Sequence, residues 1–441
     1  MAEYRESTIG VSPKVDYFKL PPSQEGFMRG HIIEHRPVNQ ITDEGPYDIL
    51  IPGNSEFVDL ANTNLYVKMK MVDSVTGDDF DDTVAIGSIN NMMNSLFSQI
   101  DVELNGVLVS TNTQHHAYRS YLRTLLENNL RVKHTRLGAA GWYKDVAEDF
   151  DDVDAVDSSN WGIYNRYSLL KESAPVALYG KINTDMSTCD RYIPPGVDIL
   201  IRLWRTKDLF FFLQLASVTV TAKVKMLDVY MDVKKVNPSS DFVLGFEKGL
   251  SNTPALLPYQ RSRIQTYNLP TGTISKKEDL VFQNEIPDIF VCGMVKSTAF
   301  SGNLQLNPYN FRTVGLSQIT FYIDDVALPA KNYRAELSGE SQAYSAQLYD
   351  NLFTAFGQRD RSQFDNDITI KDYQGGNALY VINVRAAIDA EMLHVKKNGN
   401  FKIELQFAPL PESNTLICMG LFQDVFAIDG SRNIIRHLTP S

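Results

Sequence analysis

SQIDVELNGVLV, Ser98 to Val109, and SQITFYIDDVALP, Ser317 to Pro329, are two writings of one unit. Laid over each other, Gln99 meets Gln318, Ile100 meets Ile319, Val102 meets Phe321, Leu104 meets Ile323, and Asn105-Gly106 meets Asp324-Asp325, at an offset of 219 residues. Apolar and polar residues alternate up to a dipeptide that favours a tight turn, which is the pattern of a β-hairpin. A hairpin that recurs so far along the chain predicts two similar domains.

The match runs on in the same order. In QHHAYRSYLRTLL and ESQAYSAQLYDNL, Ala117, Tyr118, Leu122 and Leu126 fall on Ala343, Tyr344, Leu348 and Leu352. Tyr, Leu and Leu spaced by four predict one face of a helix in both copies. Further on, Ala177-Leu178-Tyr179 with Ile182-Asn183 match Ala378-Leu379-Tyr380 with Ile382-Asn383, the Ala-Leu-Tyr triplet now at an offset of 201 where the helices stood at 226. The first half therefore carries a net 25 extra residues between its helix and this strand. An insertion in a connection moves the offset and leaves the order intact.

With 441 residues the chain suits two domains, each large enough for its own core. It is 43% hydrophobic and 22% charged, with 26 Gly and 19 Pro, a globular composition. A net charge of −11 argues against broad sequence-independent contact with nucleic acid, which needs a basic face. The start MAEYRESTIG lacks the apolar core of a secretory signal, and the most apolar stretch, Leu209 to Ala216, is too short to span a bilayer, so folding in a soluble intracellular compartment is expected. Cys189, Cys292 and Cys418 are odd in number, far apart and outside any metal-site spacing, and read as free, mostly buried thiols.

Strands dominate. Leu65, Val67, Met69 and Met71 alternate with Tyr66, Lys68 and Lys70. From Val218 to Met226 the even-numbered positions are apolar, after which Leu227, Val229, Met231 and Val233 take over, a phase slip that predicts a β-bulge. Ile199 to Trp204 and Phe401 to Phe407 read as further strands, and helix is confined mainly to the duplicated Tyr/Leu segments. The expected fold is all-β, two tandem eight-stranded antiparallel jelly rolls, each with a short helix, because that architecture buries two sheets face to face and leaves loops free to vary. The division is a charge-balanced N-terminal arm over 1–40, a first barrel over 41–236, a Pro-bounded linker over 237–258, and a second barrel with a short tail over 259–441. The extra residues are placed mostly at 138–160, where Glu148, Asp149, Asp151, Asp152, Asp154 and Asp157 suggest a solvated surface loop.

No residue is assigned as catalytic, cofactor-binding or metal-binding. His115-His116 open the first helix, but the second copy has Ser341-Gln342 there, and a helix-start reading serves. Neither the acidic loop nor Asp78-Asp79-Phe80-Asp81-Asp82 has the spacing of a Ca²⁺ loop. No phosphate-loop, dinucleotide, nucleophile-elbow or zinc-protease string occurs, and Gly375-Gly376 precede a strand, as a turn does. Arg202 to Lys207, around Trp204, read as a sheet surface. A structural or binding protein fits better than an enzyme.

Several longer strings carry a specific resemblance. DYFKLPPSQ (Asp16 to Gln24), ITDEGPYDILIPGNSEFVDLANTNLYVK (Ile41 to Lys68), SLFSQIDVELNG (Ser95 to Gly106), CDRYIPPGVDILIRLWR (Cys189 to Arg205), NPYNFRTVGLSQITFYIDD (Asn307 to Asp325) and NGNFKIELQFAPLPES (Asn398 to Ser413) resemble the major capsid proteins of Polinton/Maverick elements and adintoviruses. The resemblance implies a double jelly roll of the lineage that includes adenovirus hexon and virophage capsid proteins. It implies a homotrimer of pseudo-hexameric outline, low in profile, that tiles an icosahedral shell around double-stranded DNA beside neighbouring capsomers, penton and minor or cement proteins, with no sequence-specific DNA contact, no membrane span and no cofactor. The location implied is the virion capsid, assembled inside the host cell. Two alternatives stand beside it: a minor or vertex capsid protein, and a non-viral tandem jelly-roll protein that binds carbohydrate.

Overall fold

The computed structural model describes residues 23–110, 114–334, 346–356, 365–385 and 398–436. The first half contributes β1 (Phe27–His35), β2 (Tyr47–Ile51), β3 (Phe57–Asp73), β4 (Ile86–Ser88), β5 (Phe97–Leu104), β6 (Val107–Leu108), β7 (Val176–Gly180), β8 (Ile199–Arg205), β9 (Phe212–Gln214) and β10 (Ala222–Pro238). The second contributes β11 (Ala255–Leu269), β12 (Ser275–Glu278), β13 (Ile289–Lys296), β14 (Leu316–Ile323), β15 (Val326–Arg334), β16 (Leu379–Asn383), β17 (Phe401–Phe407), β18 (Asn414–Ile428) and β19 (Ile434–Ile435). Among the described residues the α-helices are α1 (Met92–Ser95), α2 (His116–Glu127), α3 (Leu130–Lys133), α4 (Trp161–Leu170), α5 (Asp208–Phe211), α6 (Ser240–Asn252), α7 (Ser297–Ser301), α8 (Ala346–Thr354) and α9 (Ile370–Gln374).

The strand order decides the architecture. In the first half one sheet runs β1-β10-β3-β7 and the other β2-β8-β5-β6; in the second the sheets run β11-β18-β13-β16 and β12-β17-β14-β15. With β4 and β9 set aside as a separate ribbon, the first-half strands numbered one to eight give 1-8-3-6 and 2-7-4-5, and the second half gives the same order. This is the jelly roll, two interlocked Greek keys, twice in one chain. The fold is all-β, two tandem eight-stranded antiparallel jelly rolls.

The repeated unit is the hairpin β5–β6 and its counterpart β14–β15. Asn105 and Gly106 have φ of 47° and 74°, and Asp324 and Asp325 have 47° and 67°, so both turns hold two consecutive residues in the left-handed region, as a type I′ hairpin demands. The repeated serine has a structural reason as well. The β5–β8 register shifts between Phe97 and Gln99, and the β14–β17 register between Leu316 and Gln318, so each serine is the extra residue of a bulge. Ser98 Oγ donates to the Arg205 carbonyl at 3.0 Å and Ser317 Oγ to the Gln406 carbonyl at 2.9 Å, tying each bulge to the facing strand. The phase slip in β10 is likewise a bulge, with the register shifting between Met226 and Asp228 and Leu227 itself turned outward.

Three expectations need correction. Part of the arm proposed for 1–40 is barrel: Phe27–His35 is β1, paired with β10. The linker over 237–258 is mostly α6, capped by Ser239 Oγ accepting from the Phe242 N–H, while its ends belong to β10 and β11. The sequence had hidden this helix because Pro238 and Pro254 flank it and Gly245 and Gly249 interrupt it, although Phe242, Phe246 and Leu250 keep a four-residue spacing. Phe242 and Phe246 close on Phe57, at 5.8 and 5.3 Å between ring centroids. The acidic segment 138–160 is only in part a solvated excursion: Glu148 and Asp157 are exposed, but Asp145, Phe150, Val153, Ala155 and Asn160 are buried, and it leads into α4.

Candidate functional site

In the second barrel, β13 points Phe290, Cys292 and Met294 into its own core and turns Ile289, Val291 and Val295 the other way. β16 divides Tyr380 and Ile382 from Leu379 and Val381 in the same manner, and β18 divides Leu416 and Cys418 from Ile417, Met419 and Leu421. The outward set is buried too, in one continuous apolar cluster with the first barrel's core. A sheet apolar on both faces is covered on both faces. The two barrels therefore share a seam.

Helix α2 fills much of that seam. His116 through Leu126 are all buried, so the helix is enclosed around its whole circumference, beyond the single apolar face its spacing predicted. The Tyr121 ring stacks on Tyr309 at 4.0 Å and on Trp142 at 5.5 Å, and Tyr118 stacks on Phe300 at 5.5 Å. Such pairs contribute about 0.5–1.5 kcal/mol each beyond area burial. In the second copy Leu348 and Leu352 of α8 are buried, while Ala343 and Tyr344 lie outside the described residues.

Polar groups in the seam are matched across it. Arg119 donates to Asp185 Oδ1 at 3.3 Å and to the Asn183 carbonyl at 2.8 Å, and Asp185 accepts from the Ser262 N–H of β11 at 3.1 Å. Arg166 donates to Asp145 Oδ1 at 2.6 Å with both side chains fully enclosed, and Asn307 of the second barrel donates to the other Asp145 oxygen at 3.3 Å. Asp151 accepts from the Asn307 N–H at 3.0 Å and from Asn310 Nδ2 at 2.8 Å. Lys144 pairs with Asp367 at 3.2 Å and Asp372 at 2.9 Å. The acidic insertion is thus a strap that spends Asp145 and Asp151 on the other barrel, while Asp149, Asp152 and Asp154 accept bonds within the strap, and buried charges persist because they are paired. Gly375-Gly376 form the turn expected, with a reason specific to the seam: a Cβ on Gly376 would fall inside the Phe150 ring, and Gly375 lies against Ala147 and Glu148. Beyond the strap, Asn105 Nδ2 donates to the Arg432 carbonyl at 2.9 Å, Arg432 Nε to the Pro195 carbonyl at 2.7 Å, and Arg436 to the Leu108 carbonyl.

The equivalent face of the first barrel is open. On the outer side of β1-β10-β3-β7, Lys68 and Lys225 are exposed, Tyr66 stacks on Tyr230 at 4.4 Å, Arg36 lies over the Tyr230 ring at 5.3 Å, and the Tyr179 hydroxyl donates to Asp232 at 2.9 Å. One face of this kind is apolar and covered, and its counterpart is polar and uncovered.

The remaining residues singled out in the sequence fall to structural roles. His116 accepts from Arg119 on Nδ1 at 3.0 Å, so its proton sits on Nε2, facing Asn94 Oδ1 at 3.3 Å; burial and then the Arg119 charge hold its pKa well below the ordinary value. The His115 ring lies against Phe300 at 5.6 Å, its pKa lowered by burial. Phe80 tucks its ring inward between acidic neighbours, and Asp79 pairs with Lys70. Arg202 pairs with Asp48 at 2.8 Å, and Trp204 Nε1 donates to Asp101 at 2.9 Å, on the outer surface of the β2-β8-β5-β6 sheet. The three cysteines are free and buried, and burial pushes the Cys189 thiol up to about 11. Among the described residues no three His, Cys, Asp or Glu side chains gather as a metal site, and no helix is long and apolar enough to cross a membrane.

No protein-family model matches the chain. An uncharacterized protein of Caenorhabditis elegans, F54H12.2, is 20% identical over 409 residues, which is 90% of this chain and 94% of that one. Among solved structures, the chain is similar in fold to one in the 3.5 Å structure of the Sputnik virophage, with TM-score 0.63, 11% identity, and 98% and 94% of the two chains covered. It is similar to the PBCV-1 virus capsid, with TM-score 0.57, 10% identity, and 96% and 100% covered. The mavirus major capsid protein gives TM-score 0.52, 10% identity, and 100% and 97% covered. These structural neighbours share the double jelly-roll fold along essentially the whole chain.

Proposed function

We propose that this chain is a major capsid protein of the Polinton/Maverick and adintovirus kind, acting as a structural, non-enzymatic subunit of the virion. Three copies form a pseudo-hexameric capsomer, and capsomers tile an icosahedral shell around double-stranded DNA, beside penton and minor or cement proteins. The observation that carries this reading is the same eight-strand order written twice, over a length that matches capsid chains from end to end. A vertex or minor protein with one barrel per chain does not call for the duplication. A near-full-length relative in a nematode fits a capsid gene carried in an animal genome.

The two unequal faces support the trimer. Within a chain, the second barrel lays its β11-β18-β13-β16 face against the first. If the same relation is repeated between chains, the open β1-β10-β3-β7 face of one copy receives the second barrel of the next, and six barrels close a ring. The inter-chain face is polar because it must be soluble before assembly. Purified protein is expected to run as a trimer, three times 49.7 kDa, and to form shells visible by electron microscopy. A monomer at every concentration that never forms shells would overturn the reading.

A further inference from the structure

A cavity of about 320 Å³ opens in the first barrel between the edge of β7, β3 and the helices α1, α2 and α3. That lies within the roughly 300–1,000 Å³ range of small-molecule sites. Its wall is rich in side-chain amides: Asn64, Asn91, Asn94, Asn128 and Asn183. Most are held in place through one atom. Asn91 Nδ2 donates to Ser120 Oγ at 2.9 Å, Asn183 Nδ2 to Ser120 Oγ at 2.8 Å and Thr124 Oγ1 at 3.0 Å, and Asn64 Nδ2 to the Tyr179 hydroxyl at 3.3 Å. Two buried polar atoms of the wall have no partner, the acceptor Asn64 Oδ1 and the donor Trp142 Nε1. Trp142 is nine-tenths or more buried, with Tyr121 against its ring and the Lys133 amine above it, so it presents no stacking face. Arg136 and Lys181, both exposed, line the same cavity and make no ion pair among the described residues.

Unpaired amide oxygens accept from hydroxyl groups and repel phosphate oxygens, which have no proton to give at neutral pH. The fixed amide N–H groups of Asn91 and Asn183 donate to hydroxyl and carbonyl oxygens. Two uncompensated cations, on a chain of net charge −11, favour a carboxylate. Buried donors and acceptors left unmatched are costly, and a ligand that pairs them gains accordingly. We propose that this cavity binds an acidic saccharide, a ring bearing several hydroxyls and one carboxylate, such as a sialic or uronic acid unit of a surface glycan. The carboxylate lies toward Arg136 and Lys181 and the hydroxyls among the asparagines. The inference rests on the cavity; because its Asn64 and Tyr179 lie on the outer side of the β1-β10-β3-β7 sheet, it also requires that a neighbouring copy seated on that face leave the cavity open.

Calorimetric titration of the full-length protein with N-acetylneuraminic acid, glucuronic acid and galactose tests it. One of the two acids is expected to bind at least about tenfold more tightly than neutral galactose, and which one identifies the sugar class. The Arg136→Ala/Lys181→Ala double variant, changed only at exposed positions, should bind the acid about tenfold more weakly with an unchanged melting temperature. Asn64→Ala should weaken acid and galactose alike. Absence of binding by both acids, equal binding of galactose, or undiminished binding by the double variant would overturn the proposal. Assembly of the same preparations, read by sizing, reports on the capsid reading separately.

Discussion

Lys133 carries a titratable amine into the seam. It donates to the carbonyls of Leu125 and Asn366 and is almost fully enclosed, and burial lowers its pKa to about 7, against the pull of Asp367, Asp365 and Asp372 and with the help of Lys144. Between about pH 7 and the ordinary lysine value near 10.4, the unfolded chain holds a proton here that the folded chain lacks. Stability therefore rises with pH through that window. The melting temperature should rise from about pH 7.5 to 9.5, and Lys133→Met, of similar volume, should flatten that rise. His116 works at the acid end. Its folded pKa is depressed, so the stability of its neutral form is present above about pH 6.5 and lost as the pH falls below it, where the unfolded chain takes up a proton. His116→Gln should shallow the loss of melting temperature between about pH 6.5 and 5. The pair His115-His116 was legible in the sequence as the opening of a helix. Of the groups that hold His116, Arg119 lies one turn along the same helix, whereas Asn94 belongs to α1, and no local pattern announced it.

At the scale of elements, the two bulges are the most exacting features. Each serine oxygen ties a bulge to its facing strand, so Ser98→Ala and Ser317→Ala should each cost about 1 kcal/mol, and by similar amounts because the sites are equivalent. Chemical denaturation of the two variants checks this; a loss at one site with none at the other would mean that the bulges are not equivalent. Deleting Ser98 should do far more, since removing the extra residue turns every following side chain of β5 to the opposite face. Much at this scale was legible: the hairpins, the helix after each, the strand beyond it, and the slip at Leu227 all follow from short-range period and turn chemistry. What was not legible came from contact. The acidic run looks solvated until Asn307 and Asn310 are seen to take up Asp151, and Arg166 and Asn307 to take up the neighbouring Asp145. Asn160, which caps α4 by accepting from the Gly162 N–H, was the local sign that the segment ends in a helix.

For the whole molecule, the contrast between the covered and open faces sets the expectations. Tyr230→Glu places a charge in the Tyr66–Tyr230 stack on the open face and should leave the monomer folded, with an unchanged circular dichroism spectrum, while shifting a trimer to monomer on sizing. Gly376→Ala acts on the covered side, where Phe150 occupies the space of a Cβ, and should lower stability by about 1–3 kcal/mol without changing the open face. The duplication itself could be read from the sequence. The inequality of the faces could not, because the two copies spell ALY and IN alike, yet Tyr179 lies on the outer side of its sheet while Tyr380 points into its own barrel and Leu379 faces the seam.

The clasp of Arg432 and Arg436 on the first barrel also has a consequence for synthesis. The first barrel has all its strands once residue 238 has emerged, yet the rings that cover α2, Phe300 and Tyr309, come some 60 to 70 residues later, and Arg432 and Arg436, which hold the hairpin turn at Asn105, come almost 200 residues later. At about 5–20 residues per second, the ribosome takes roughly 10 to 40 s to deliver those 200 or so residues. For that interval the nascent chain carries a finished barrel with an incompletely covered apolar flank. Premature pairing between neighbouring nascent chains is then the hazard, and a chaperone that masks α2 during translation would raise the yield of assembly-competent subunits.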